Sequence, residues 1–140
     1  LVSWQFWAFL SASFAALTAI FAKVGITHIN ADFATFIRTL VILATLGLIV
    51  LATGQWQPLG EISSRTYLFL ILSGLGTGAS WLCYFRALKL GQAAQVASID
   101  KLSVVLVALL SVTFLGEKLS TLNWLGILLM VSGMILLIRA

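Results

Sequence analysis

The chain has 140 residues, of which 61% are hydrophobic and only 9% are charged, and its formal net charge is +4. A soluble domain of this length needs far more polar surface, so the composition excludes a water-soluble globular protein. A single cysteine, Cys83, excludes an intramolecular disulfide, and a single histidine, His28, excludes the usual His-rich metal sites. We expect an integral membrane protein that is partnered by the lipid bilayer and not by a nucleic acid, without a metal or a cofactor.

Five apolar blocks follow one another along the chain. Each is close to the length of about 20 residues that a helix needs to cross a bilayer. Only helices and closed barrels satisfy their backbone groups in lipid, and the blocks are too evenly apolar for barrel strands. We therefore predict an all-α membrane protein, a compact single-domain bundle over residues 1–140 whose five transmembrane helices lie at about 4–22, 33–52, 67–88, 93–115 and 122–138.

The connection INAD, at residues 29–32, joins the first helix to the second. Asn30 or Asp32 is expected to cap the second helix, because both residue types accept hydrogen bonds from the free N–H groups of a helix start. Arg38 lies about five residues into this helix, at a depth where ionisable side chains are costly and usually functional. It is therefore a candidate residue for binding a substrate or a coupling ion.

The third helix carries the sequence SGLGTGASWLCYF at residues 73–85. Gly74 and Gly78 form a G-x-x-x-G face, which favours close contact between helices. Trp81 and Tyr84 lie deeper than the aromatic residues of a membrane interface usually do. We expect them either to line a substrate cavity or simply to pack between helices.

Asp100 and Lys101 interrupt the apolar run of the fourth helix. Neighbours on a helix diverge by about 100°, so the two side chains have different surroundings. Asp100 shares a small, partly polar face with Ser103 that we expect to point into the bundle, whereas Lys101 is long enough to reach the headgroups. Arg38 and Asp100 differ in depth by roughly 3 Å, so we predict that they pair. The residues either form a structural ion pair or line a substrate or coupling-ion site.

The basic residues divide unevenly between the two sides of the membrane. Five spans put the termini on opposite sides, and the positive-inside rule makes the side that is richer in Lys and Arg cytoplasmic. We therefore predict an outer N-terminus and a cytoplasmic C-terminus. Only Arg65 and Lys118 fall on the outer side, and the other six fall on the cytoplasmic side: Lys23, Arg38, Arg86, Lys89, Lys101 and Arg139.

Several stretches together resemble the EamA-type five-helix domain of the drug/metabolite transporter superfamily. They are WAFLSASFAALTAIFAKVGI (7–26), FATFIRTLVI (33–42), YFRALKLGQAAQVASI (84–99) and LLSVTFLGEKLSTLNWLGILLMVSGMILL (109–137). IDKLSVV is similar to the short, single-domain bacterial branch. Many relatives have a proline in the fourth helix where this chain has Val104. The resemblance implies one half of an inverted-repeat type transporter in the bacterial inner membrane.

We predict a secondary transporter that exports a small metabolite or a drug-like molecule. Five helices scarcely surround a substrate path, and inverted-repeat transporters place their site at the repeat interface. The chain is therefore expected to form a homodimer, or a heterodimer with a related five-helix chain. The alternative is a non-transporting scaffold or regulatory subunit. An enzyme is not expected, because the chain has no paired carboxylates at a shared depth.

Overall fold

The computed structural model describes residues 3–139, and every regular element in this range is helical. Five segments are long and apolar enough to cross a membrane, which confirms the predicted all-α membrane fold. The fourth of these segments, Ala93–Phe114, comprises two consecutive helices. The helices are α1 (Trp4–Gly25), α2 (Ala31–Ala52), α3 (Ser64–Leu90), α4 (Ala93–Asp100), α5 (Leu102–Phe114) and α6 (Thr121–Arg139), with a single 3-10 turn at Leu59–Glu61 before α3.

A polar side chain caps α2 and extends it beyond its apolar block. The Asn30 side chain accepts hydrogen bonds from the N–H groups of Asp32 and Phe33, at 2.9 and 3.2 Å. Asn30 rather than Asp32 is therefore the N-cap, and α2 begins at Ala31, two residues before the predicted start.

The fourth predicted helix lies where expected, but the chain turns at Lys101 and divides it into α4 and α5. The Lys101 N–H donates to the Ser98 carbonyl at 3.1 Å, and the Val104 N–H donates to the Lys101 carbonyl at 3.0 Å. Both bonds span three residues instead of the four of an α-helix. The Ser98 hydroxyl also donates to the Ala94 carbonyl at 2.7 Å, a bond that tends to bend helices. The break therefore forms without a proline, since Val104 follows the turn.

Many of the hydroxyl groups within the spans are satisfied by their own helices. Each of these hydroxyl groups donates to the carbonyl four residues earlier in the same helix. This arrangement is how the apolar spans accommodate polar side chains in lipid. The bonded side chains include Ser13, Thr18, Thr35, Thr39, Thr45, Thr77, Thr113 and Ser132.

The described chain divides into two compact units, residues 3–90 (unit 1) and residues 91–139 (unit 2). In unit 1, α3 contacts both α1 and α2, and the side chains of Phe85 and Leu88 on α3 are buried. In unit 2, α4 contacts α5 and α6, and the Gln95 amide donates to the Leu137 carbonyl at 3.2 Å. A single five-helix domain stays a prediction.

Candidate functional site

An open cavity of about 420 Å³ lies in unit 1, between the C-terminal half of α1 and the N-terminal half of α2. Its lining is almost wholly apolar and includes Phe21, Ile26, Ile37 and Phe85. Thr18 and Arg38 supply the polar side chains of the lining. Because the Thr18 hydroxyl already donates its hydrogen to the Phe14 carbonyl at 2.8 Å, Arg38 is the lining side chain that has hydrogen-bond donors to offer a ligand.

Arg38 packs its guanidinium group on aromatic rings. The guanidinium carbon lies 4.2 Å from the ring centroid of Trp81 and 5.2 Å from that of Phe85. Tyr84 lies beside Phe85, with ring centroids 6.5 Å apart. Aromatic faces attract a cation and hold a planar guanidinium in one orientation. α3 therefore provides a platform that fixes Arg38, the eighth residue of α2, at the cavity.

A bidentate ion pair links α2 to α3 at the same end of unit 1. The Arg86 Nε and Nη2 donate to the two carboxylate oxygens of Asp32 at 2.7 and 2.5 Å. Both side chains are well exposed, so the pair is accessible to water or headgroups at the end of the helices. Asp32 is thus occupied by Arg86, and no salt bridge to Arg38 occurs within residues 3–90.

Two lysines bind backbone carbonyls at this end of unit 1. The Lys23 ammonium donates to the Leu88 carbonyl, and the Lys89 ammonium donates to the Ile29 carbonyl. The Leu88 carbonyl lies in the last turn of α3, where the negative end of the helix dipole attracts a cation, and Ile29 lies in the connection between α1 and α2. Lys23, Lys89 and Arg86 therefore join α1, α2 and α3 at one basic end.

Asp100 and Lys101 lie at the break in the fourth span. Asp100 is the last residue of α4 and Lys101 forms the turn, and both side chains are exposed. Asp100 is the eighth residue of its helix, as Arg38 is of α2. The predicted Arg38–Asp100 pair joins residues of different units and stays a prediction.

Known proteins match almost the whole chain. The model of the EamA-like transporter family matches residues 2–139. The chain belongs to the EamA-like transporter family. It is also 67% identical, over 96% of each chain, to a protein from Sinorhizobium sp described as an uncharacterized transporter in the cobO 3'region. No solved structure matches the chain. This EamA-like protein is therefore a multi-pass membrane transporter, as the sequence predicts.

The structure of this EamA-like chain changes the interpretation of several predicted residues. Trp81 contacts Arg38, so these two of the three candidates of unit 1 belong to one cluster. Ser103 lies in α5, beyond the turn at Lys101, so the helical face predicted to join Asp100 and Ser103 is not continuous. A methyl group added at Gly74 or Gly78 would meet no atom within 4 Å, so these glycines make no close helix contact within the described chain.

Sequence reasoning missed Phe85 and the Asp32–Arg86 pair. Asp32 lies in the first turn of α2 and Arg86 near the end of α3, so the two share one end of an antiparallel pair of helices. Comparing the depths of side chains in the membrane, which led us to predict the Arg38–Asp100 pair, would also have predicted a pair between Asp32 and Arg86. Phe85 gives no such signal, since one phenylalanine among nine does not stand out in an apolar chain.

Proposed function

We propose that this protein is a secondary transporter that exports a small metabolite or a drug-like molecule across the bacterial inner membrane. The observation that carries the proposal is the position of Arg38, about 10 Å along α2 from its first residue, at an apolar cavity. Ionisable groups within membrane spans are costly and commonly mark substrate or ion pathways.

We further propose that Asp100 carries a coupling proton. Of the four acidic residues, Glu61 and Glu117 lie in connections between spans, and Asp32 is bound by Arg86 in the first turn of α2. Asp100 is the remaining acid, and it is the eighth residue of a 22-residue membrane-spanning segment that breaks at this point. Broken helices are common where transporters bind their coupling ions.

The working unit is proposed to be a dimer, formed with a second copy or with a related five-helix chain. Inverted-repeat transporters place the substrate path at the interface of two such domains. The open surface at Gly74 and Gly78 supports this proposal, because small residues let a neighbouring helix approach closely.

Purified protein in sealed liposomes tests the transport function. We expect a screen of labelled amino acids, organic acids, amines and drugs to reveal at least one compound whose flux requires the protein. Liposomes with heat-denatured protein provide the control for leakage. A properly inserted, folded protein that moves no compound and no protons under any gradient would instead identify a scaffold.

Fusions at the two ends test the proposed orientation. Unit 1 has Lys23, Arg86 and Lys89 at one end and Arg65 at the other, so its basic end is expected to face the cytoplasm. A reporter that is active only in the cytoplasm should work at the C-terminus and be silent at the N-terminus. The reverse result contradicts the proposed orientation, whereas activity at both ends indicates dual insertion and an antiparallel homodimer.

A further inference from the structure

The cavity of unit 1 has the chemistry of a site for an apolar anion. Its walls are aliphatic and aromatic, and its volume of about 420 Å³ lies within the range of ligand pockets, roughly 300–1,000 Å³. Such walls favour the burial of a hydrocarbon body. The apolar walls alone do not select a ligand. The polar side chain at the cavity, Arg38, therefore decides which chemical class of ligand binds.

Arg38 is a half-buried cation whose donors are not used within its unit. The rings of Trp81 and Phe85 contact its guanidinium group, and no hydrogen bond or salt bridge to it occurs within residues 3–90. A ring binds the face of a guanidinium, while the N–H donors lie along its edge. The rings therefore orient the group and leave its fork of N–H donors available.

A carboxylate matches this fork, as does the phosphate of a lipid headgroup. Two parallel N–H···O bonds form between a guanidinium and a carboxylate, and both partners are charged. An amine would be repelled by Arg38, and an amide would lack the charge that compensates it. Asp32, the acid closest to Arg38 along α2, is bound by Arg86 and is not competing for Arg38.

We propose that this cavity binds a small organic monocarboxylate with an apolar body, and that Arg38 holds its carboxylate. That such a compound is the transported substrate rests on the function proposed above, whereas the binding itself does not. An anionic lipid headgroup offers similar chemistry and would come from the membrane instead of the aqueous phase.

Equilibrium binding of radiolabelled 4-phenylbutyrate to the full chain in phosphatidylcholine nanodiscs tests the proposal. We expect unlabelled 4-phenylbutyrate to compete, and the matched neutral amide and the matched amine to compete at least about tenfold more weakly. A tenfold change corresponds to about 1.4 kcal/mol, which is close to the lower end of the range for a hydrogen bond to a charged group, about 1.5–3 kcal/mol.

Three variants locate the binding site. Arg38→Gln is expected to weaken binding about tenfold or more, and Arg38→Lys to give an intermediate loss, because lysine keeps the charge without the planar fork. Ala34→Leu keeps Arg38 but fills part of the cavity, so it should also weaken binding. Arg65→Gln is the matched control, since Arg65 lies 5.7 Å from the ring of Phe69 at the other end of α3 and should leave binding unchanged.

Several results would overturn the proposal. The first is that the amine or the amide competes as well as 4-phenylbutyrate does. The second is that folded Arg38→Gln binds the probe with wild-type affinity. The third is that added phosphatidylglycerol abolishes probe binding, which would assign the site to a lipid headgroup. The experiments also distinguish a failure of the proposed transport function from a failure of the proposed carboxylate site. Probe binding without any flux contradicts transport and keeps the site, whereas flux of another compound without probe binding contradicts the site and keeps transport.

Discussion

Replacement of Asp100 by asparagine is expected to abolish proton-driven uphill transport while substrate exchange down its own gradient survives. A residue that carries a coupling proton has to lose and regain it during each cycle, and asparagine does neither. Exchange needs only that the substrate site alternates between the two sides of the membrane, so it does not depend on the proton. The measurement compares uphill uptake driven by a pH gradient with counterflow of the same substrate, in liposomes that contain equal amounts of folded protein.

Asp32→Asn is the matched control for this experiment. It makes the same chemical change at Asp32, which is bound by Arg86 in the first turn of α2, at the end of the helices. We expect it to loosen the contact between α2 and α3 and to leave proton coupling intact. If Asp100→Asn keeps full uphill transport, or if uphill transport and exchange fall together with thermal stability, Asp100 has a structural role and does not carry the proton.

Arg38 and Asp100 are expected to be energetically coupled. Removal of one member of an ion pair leaves the other charge without its partner in a medium of low dielectric constant, which destabilises the protein. The double variant Arg38→Gln with Asp100→Asn should therefore be milder than the sum of the two single variants. Coupling energies between groups in contact run from about 0.5 to 3 kcal/mol. Thermal unfolding of the four proteins in lipid nanodiscs measures this difference.

The Asp32–Arg86 pair provides a positive control for this double-mutant cycle of Arg38 and Asp100. Its bidentate geometry is present within unit 1, so the cycle of Asp32→Asn and Arg86→Gln reports the coupling of a known contact. Additive effects for Arg38 and Asp100, alongside measurable coupling for Asp32 and Arg86, would remove the predicted pair.

The two roles proposed for Arg38 fit a single cycle. A substrate carboxylate and Asp100 would be alternative partners of the same guanidinium group. In the proposed cycle, the arrival of the carboxylate releases Asp100, which is then able to exchange its proton. The substrate would thereby control the coupling residue without direct contact with it.

Several features of the chain were predictable because they depend on local sequence. Hydropathy located all five spans, since each must bury a long apolar segment in lipid. The exact helix ends were less predictable, because they depend on which side chain accepts a bond, as Asn30 does for α2. The break at Lys101 was missed because periodicity treats an apolar run as one helix, while the backbone turn depends on bonds over three residues.

The sequence by itself determined that the chain is helical, that it spans the membrane and that it belongs with EamA-like transporters. These properties follow from hydropathy and from motifs, which each segment carries independently of its neighbours. Only the tertiary structure decided which side chains meet in unit 1. Position along a helix gives the depth of a side chain but neither its direction around the helix nor the identity of the neighbouring helix. Packing of α3 against α1 and α2 therefore placed Asp32 against Arg86 and Arg38 against Trp81 and Phe85.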